Sequence, residues 1–72
     1  MTLEELANRF TYHSPSGNQP ARYELIRERA REFAQIIDHN TPESREQSLA
    51  FTALEEAVFW ANAAIARREN KL

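Results

Sequence analysis

The residues of this chain that could carry out a reaction fall into two small groups. His13 next to Ser14 and Ser16 offers a base beside two hydroxyls, but no carboxylate is placed to orient the imidazole and no oxyanion site is evident. Glu55 and Glu56 could bind Mg²⁺ in a helical nucleotide hydrolase. Neighbours on a helix point ~100° apart, however, and no Glu-x-x-Glu or Glu-x-x-His partner supports the pair. The sequence therefore favours a protein without catalytic residues, in which these glutamates form a solvated face or pair with arginine.

Metal and cofactor sites are not indicated either. The chain has no cysteine, and its two histidines have no paired spacing, so neither a thiolate site nor structural zinc is expected. A single glycine excludes a glycine-rich phosphate loop. We expect no metal and no cofactor.

The segment RFTYHSPSGNQPARY, residues 9–23, has the features of a binding element. It holds the only glycine and both tyrosines of the chain. Phe10 and Tyr12 alternate, so we expect Phe10 to anchor the loop in the core and Tyr12 to offer a flat face to a planar ligand. Arg27 lies one turn beyond Tyr23, and an aromatic face beside a guanidinium suits a nucleotide, with the base on one and the phosphate on the other. The alternative is that Tyr12 simply packs on the body of the protein.

The charged residues argue against a nucleic-acid binder. The formal net charge is −2, whereas a protein that binds duplex DNA or RNA normally carries a basic face. Eight of the nine basic residues are arginine, whose planar fork of donors fits carboxylate and phosphate oxygens. The simplest role for most of them is to pair along a helix, as Arg27 could with Glu24 and Arg31 with Glu28 at i,i+3.

The elements that must position these residues are all helical. A short helix is predicted from Leu3 to Arg9, with Thr2 and Glu5 at the spacing of a capping box. A loop follows over residues 11–19, turned by residues 14–18. A central helix begins at Pro20, capped by Asn18 or Gln19, and ends at residues 38–40. Thr41 as cap and Pro42 as first residue then open a long helix to about Asn70, which completes a single all-α domain over residues 1–72.

The long helix carries more apolar surface than one neighbour can cover. Two adjacent stripes span roughly 200° of it, about twice what one packed helix requires. The first stripe comprises Ala50, Leu54, Ala57, Val58, Ala61 and Ile65, and the second comprises Leu49, Ala53, Trp60 and Ala64. The central helix has one stripe (Tyr23, Ile26, Ala30, Phe33 and Ile37, with Ala34 beside it), and Leu25 and Ile36 lie off it.

The predicted lengths of the two main helices also indicate apolar surface that the single chain does not cover. About 28 residues give ~42 Å for the long helix against ~27 Å for the central one, which would leave ~15 Å of apolar helix uncovered. A chain of 72 residues without disulfides also rarely stabilises a core alone. We therefore expect a homo-oligomer in which Trp60 is a packing residue.

The sequence favours a soluble, cytoplasmic protein. Its start, Met1-Thr2-Leu3-Glu4-Glu5, is acidic where a signal peptide is basic and then apolar. The longest unbroken apolar run, residues 57–61, is far shorter than the ~20 residues that span a bilayer.

Several of these segments resemble the anti-CBASS protein 2 family of small phage proteins. The resemblance rests on TLEEL (residues 2–6), RFTYH (9–13), PESRE (42–46) and above all LEEAVFWANAAIAR (54–67), and so runs over nearly the whole chain. It implies a helical hexamer that performs no catalysis and that sequesters cyclic oligonucleotide signals of bacterial antiphage cyclases. Those signals include cyclic dinucleotides such as cGAMP and, at a separate site, cyclic trinucleotides. It also implies a role in the cytoplasm of an infected bacterium.

The resemblance assigns site residues as well. Tyr12 matches a tyrosine that stacks on a base of the dinucleotide, and Arg27 stands where a relative has a phosphate-pairing lysine. Phe10 and His13, which flank Tyr12 in the same motif, are further candidates for the dinucleotide site. For the trinucleotide the candidates are Arg67 and Arg68 near the end of the last helix, with Arg29 as a third. Two alternatives stay open: a helical oligomerisation or adaptor protein without a small-molecule ligand, and a nucleotide hydrolase that uses Glu55 and Glu56.

Overall fold

The computed structural model describes residues 1–69 and contains three helices and no strand in that range. Helix α1 spans Leu3–Phe10, α2 spans Gln19–Asn40 and α3 spans Arg45–Glu69. Helices α2 and α3 pack against each other as a hairpin, and α1 lies at the open end, near the C-terminus of α3. The all-helical prediction is confirmed.

Helix α1 begins where the predicted cap places it. The backbone N–H of Glu5 donates to the Thr2 hydroxyl oxygen at 3.1 Å, which satisfies one of the free donors of the first turn. The Glu5 carboxylate then pairs with Arg9 one turn later at 3.0 Å. Helix α1 extends one residue beyond the predicted end, to Phe10, before the backbone becomes extended at Thr11.

Gln19, and not a cap at Asn18, organises the turn into α2. Its side-chain oxygen accepts from the backbone N–H of Ser16 at 3.0 Å, and only 4% of the residue is exposed. Gly17 sits between them at a φ of +57°, a conformation that residues with a Cβ rarely adopt. Asn18 occupies the N-cap position, one of the two predicted alternatives, but its side chain makes no capping bond.

The start of α3 differs from the prediction. The helix begins at Arg45, three residues after Pro42, because Ser44 is the residue whose hydroxyl accepts from an N–H of the first turn, that of Gln47 at 3.1 Å. The Thr41 hydroxyl instead donates to the Ile37 carbonyl at 2.7 Å and so closes the end of α2. Gln47, 9% exposed, fixes the turn by donating to the Thr41 carbonyl and hydroxyl.

The two stripes of α3 have different surroundings. In the first stripe, five of the six residues are partly buried and Ala57 is exposed. All four residues of the second stripe are exposed, and Trp60 is 62% exposed, with its indole N–H directed at Glu56 at 3.5 Å. Trp60 is therefore not a core residue of the single chain. On α2, Leu25 and Ile36 are more than half exposed, as their positions off the stripe predict.

The expected 15 Å overhang of α3 is not present within residues 1–69; the predicted end of the helix at Asn70 lies outside them. At 1.5 Å per residue, the 22 residues of α2 extend about 33 Å and the 25 residues of α3 about 38 Å, because α2 begins one residue earlier and continues through Asn40, and α3 begins later than predicted. Helix α1 covers the remaining end: the Asn8 amide donates to the Arg67 carbonyl at 3.0 Å, and Arg68 binds Glu5. Uncovered apolar surface therefore comes from the breadth of α3 and not from its length.

The molecule is a thin slab without a closed core. No hydrophobic side chain among residues 1–69 is fully buried, and the Cα atoms extend over 46 × 29 × 13 Å, so the slab is one helix thick. The radius of gyration is 15.4 Å, against ~11 Å for a compact chain of this length. The accessible surface of 5791 Å² exceeds the ~4,600 Å² of a typical folded monomer of this mass.

Among the described residues, α3 is also long and apolar enough, by length and composition alone, to cross a membrane. Glu55 and Glu56 lie in the middle of that stretch, where ionised side chains are costly in a bilayer. One face of the helix packs on α2, which is rich in arginine and glutamate. These features favour a protein partner over lipid as the cover for the apolar surface.

Candidate functional site

A cleft of about 440 Å³ lies where the loop over residues 11–18 meets α2 and α3. The loop supplies one wall, the first turns of α2 supply the second, and the last turns of α3 supply the third. The lining residues are Arg9, Thr11, Tyr12, His13, Pro15, Tyr23, Arg27, Asn62, Ala63, Ala66 and Arg67. The volume is in the range of small-molecule sites. None of these eleven residues is acidic and three are arginines, so the cleft is locally cationic in a protein of net charge −2.

Tyr12 and Arg27, the pair predicted from the sequence, line the same cleft. Tyr12 is 81% exposed, so its ring is available to a ligand and is not packed on the body. Arg27 pairs with Glu24 at 3.0 Å, with both side chains more than half exposed. The predicted i,i+3 pair is present, and so is the equivalent pair between Arg31 and Glu28 at 3.2 Å.

His13 holds the loop in place, which was the role expected of Phe10. The imidazole Nε2 donates to the Asn8 carbonyl at 2.8 Å, and the residue is partly buried. Phe10 is 83% exposed and does not line the cleft, so its predicted role as the anchor in the core is wrong for the single chain. The reason is that α1 continues through Phe10, which places its side chain by the helical period and not by the alternation of an extended segment.

A second cleft of about 340 Å³ lies beside the first, on the other side of the C-terminal turns of α3. Arg9, Arg67 and Arg68 line it together with Trp60 and two alanines. Arg67 and Arg9 contribute to both clefts. The two candidate regions predicted for dinucleotide and trinucleotide are therefore adjacent and share side chains.

Arg29 is not brought to either cleft. It pairs with Glu32 at 3.0 Å and lines an apolar groove of about 500 Å³ between α2 and α3, together with Leu25, Phe33 and Ala57. Its position separates it from Arg67 and Arg68, the two residues with which the sequence grouped it.

Arg68 is held by a carboxylate, whereas Arg67 is not. The Arg68 guanidinium donates to both Glu5 oxygens, at 3.1 and 2.8 Å, and Arg9 donates a third hydrogen bond to the same carboxylate. Arg68 first, and then Arg9, lower the pKa of Glu5 from its ordinary 4.5 to about 2, and Glu5 in turn raises the pKa of Arg68. Within residues 1–69, Arg67 forms no ion pair, so its charge remains available to an anion.

The groups considered for catalysis have other partners. The Nε2 atom of His13 is engaged with the Asn8 carbonyl. Glu56 accepts the Trp60 indole N–H, and Glu55 lines a groove on the face of the hairpin that also carries Phe51 and Phe59. These contacts agree with the interpretation of the two glutamates as a solvated face.

Asn62 is a residue of the cleft that the sequence did not single out. Its side-chain oxygen is buried and has no hydrogen-bond partner among the described residues. The available signal was its position, since it is the one polar residue in the run from Ala57 to Ala66. A polar side chain retained in such a run either meets a partner in the protein or meets one in a ligand.

Comparison with known proteins gives one match. A family model described as the hairpin domain of Acb2/Tad1 matches residues 2–66, about nine-tenths of the chain. Neither the curated proteins nor the solved structures contain a significant match.

Proposed function

Because the chain belongs to the Acb2/Tad1 hairpin-domain family, we propose that it is a non-catalytic sponge for cyclic oligonucleotides. By sequestering cyclic dinucleotides such as cGAMP, it would block the antiphage immunity that these signals activate, in the cytoplasm of an infected bacterium. The observation that carries the proposal is the presence of Tyr12 and Arg27 in one cationic cleft of suitable size.

The chemistry of the cleft supports a ligand with bases and phosphates. An exposed tyrosine can stack on a base, for ~1–3 kcal/mol per base. A phosphate that binds Arg27 must compete with Glu24, but an exposed pair of this kind is worth only ~0–1 kcal/mol. Little stabilisation is therefore lost when a phosphate replaces Glu24 as the partner of Arg27.

A cyclic dinucleotide has two bases and two phosphates about an approximate twofold axis. One chain offers one Tyr12 and one Arg27, so the complete site requires two chains about a twofold axis. We propose a hexamer, which also has a threefold axis that suits a cyclic trinucleotide. The second cleft, with Arg67 and Arg68, is the candidate for that ligand.

A retention experiment tests the proposal. The protein is incubated with cGAMP, separated from free ligand and denatured by heat, and the supernatant is analysed. A sponge releases intact cGAMP, a hydrolase releases products, and an adaptor protein has retained nothing. Either of the last two results would overturn the proposal.

Tyr12→Ala supplies the residue-level test. It should weaken cGAMP binding by ~1–3 kcal/mol for each stacked base. Because Tyr12 is exposed in the chain, the melting temperature without ligand should not fall. Phe10→Ala, which removes an equally exposed ring outside the cleft, is the control and should have a much smaller effect on affinity. Unchanged affinity in Tyr12→Ala would exclude the stacking role.

An oligomerisation or adaptor protein is the second candidate, and the exposed apolar surface of α3 favours it. That surface explains assembly without any ligand. It does not explain why the cleft gathers three arginines and no carboxylate.

A further inference from the structure

Asn62 has an incomplete set of hydrogen bonds at the floor of the cleft. Its Oδ1 atom is buried without a donor among the described residues, and Asn62 lines the cleft together with Ala63 and Ala66. Among residues 1–69 the only comparable side-chain atom is Nε of Arg22, and that guanidinium already binds Glu69 through its other nitrogens. Asn62 is thus the cleft residue that has a buried polar atom without a partner among the described residues.

A buried amide oxygen without a donor destabilises a protein, and such atoms are rare in native structures. Rotation about the terminal side-chain bond of asparagine is soft, so either the oxygen or the nitrogen can turn toward the cleft. Once the side chain turns toward the cleft, the amide offers a ligand one acceptor and one donor side by side. No side-chain bond has to be broken for this, since the Asn62 amide has no hydrogen-bond partner in the described residues.

We propose that Asn62 determines base specificity by binding the edge of the base that Tyr12 stacks on; this rests on the proposed function. The complement of an amide is an edge with an adjacent N–H donor and ring acceptor, as adenine presents with its 6-amino group and N7. A 6-oxopurine presents two acceptors on that edge and leaves the Asn62 oxygen without a donor. The site accordingly selects a cyclic dinucleotide that contains adenine over one with a 6-oxopurine at that position.

The test compares cyclic di-AMP with cyclic di-IMP, which differ at position 6 of the purine. Titration calorimetry on the wild-type protein should give roughly tenfold tighter binding of cyclic di-AMP. Asn62→Leu, which keeps the branched shape of the side chain but removes its hydrogen-bonding atoms, should bind both ligands with nearly equal affinity, because stacking and phosphate contacts remain. Asn18→Leu is the matched control and should keep the wild-type preference, since Asn18 lies outside the cleft and makes no capping bond.

Thermal unfolding without ligand separates specificity from structural support. Asn62→Leu removes an unsatisfied polar atom, so its melting temperature should equal or exceed that of the wild type. The proposal is overturned if Asn62→Leu keeps the preference for cyclic di-AMP, if the wild type has no preference, or if the variant melts lower and loses both affinities equally. A wild-type protein that binds neither ligand would overturn the proposed function itself, whereas equal binding of both leaves that function in place.

Discussion

Arg27 and Arg31 repeat the same local chemistry one turn apart on α2, yet only Arg27 lines the Tyr12 cleft. Each pairs with a glutamate three residues earlier, at 3.0 and 3.2 Å, and all four side chains are largely exposed. Such pairs contribute little to stability. The difference between the two arginines is therefore one of position, which makes them a matched pair for experiment.

Arg27→Ala should weaken cyclic dinucleotide binding by ~1.5–3 kcal/mol for each charged hydrogen bond lost, and Arg27→Lys should do so less because the charge is kept. Arg31→Ala removes the same charge and the same kind of ion pair, and it should leave the affinity nearly unchanged. Titration calorimetry with cGAMP measures all three. Equal losses in Arg27→Ala and Arg31→Ala would show that net charge, and not a contact in the cleft, governs affinity.

Much of the cleft was predictable at the residue scale, and the errors have physical causes. The i,i+3 spacing predicted the Arg27 pair because local spacing fixes neighbours on a helix. The alternation of Phe10 and Tyr12 predicts Phe10 as the anchor of the loop, but a hydrogen bond from His13 to a backbone carbonyl performs that role. Asn62 was missed because an unsatisfied atom is a property of the packed structure, which no sequence pattern records.

At the scale of the elements, one carboxylate joins α1 to α3. Glu5 binds Arg68 across the two helices and Arg9 within α1. The pKa of Glu5 is lowered from 4.5 to about 2, so this contribution to stability is fully present above pH 4.5 and is lost as the pH falls toward 2.

The melting temperature should therefore fall between pH 5 and pH 2 by more in the wild type than in Glu5→Gln. The variant has lost the charged contact at every pH, so the two curves should converge near pH 2. Circular dichroism measured across that range tests this. Glu4→Gln changes an exposed neighbour that forms no ion pair within residues 1–69, and it should follow the wild-type curve. Parallel curves for the wild type and Glu5→Gln would show that the contact does not hold α1.

Helix existence was predicted better than helix boundaries. The apolar period located α2 and α3, and the Thr2 cap located α1. The start of α3 was placed at Pro42 because Thr41-Pro42 has the pattern of a cap and first residue. In the structure Ser44 is the residue whose hydroxyl accepts from the first turn of α3, because the Thr41 hydroxyl donates to a carbonyl at the end of α2. Where two hydroxyls are available for one helix start, the choice depends on the neighbouring helix. The false overhang came partly from this later start of α3 and partly from an α2 that is longer than predicted.

At the scale of the whole molecule, a slab one helix thick leaves both faces of the hairpin in water. Its surface exceeds that of a compact monomer by about 1,200 Å². A standard protein interface buries about 800 Å² on each partner, so the excess is of the size that one interface per chain would remove. The groove that contains Leu25, Phe33 and Ala57 is apolar along its whole lining except for Arg29.

Ala57→Glu is the sharpest test of assembly. Ala57 is exposed in the single chain, so the new carboxylate does not disturb the hairpin, but it would be desolvated without a partner if another chain covers the groove. Sedimentation should give about 50 kDa for a wild-type hexamer and a smaller species, down to the 8.4 kDa monomer, for the variant, with unchanged helical content. Gln35→Glu adds the same charge at an exposed position that does not line the groove and should leave the mass unchanged.

The fluorescence of Trp60 gives a second measurement of assembly. Trp60 is 62% exposed in the single chain, so if assembly buries it in the wild type, its emission should lie at longer wavelength in Ala57→Glu than in the wild type. A wild-type protein that sediments at 8.4 kDa at micromolar concentration would exclude the assembly, and with it a ligand site shared between two chains.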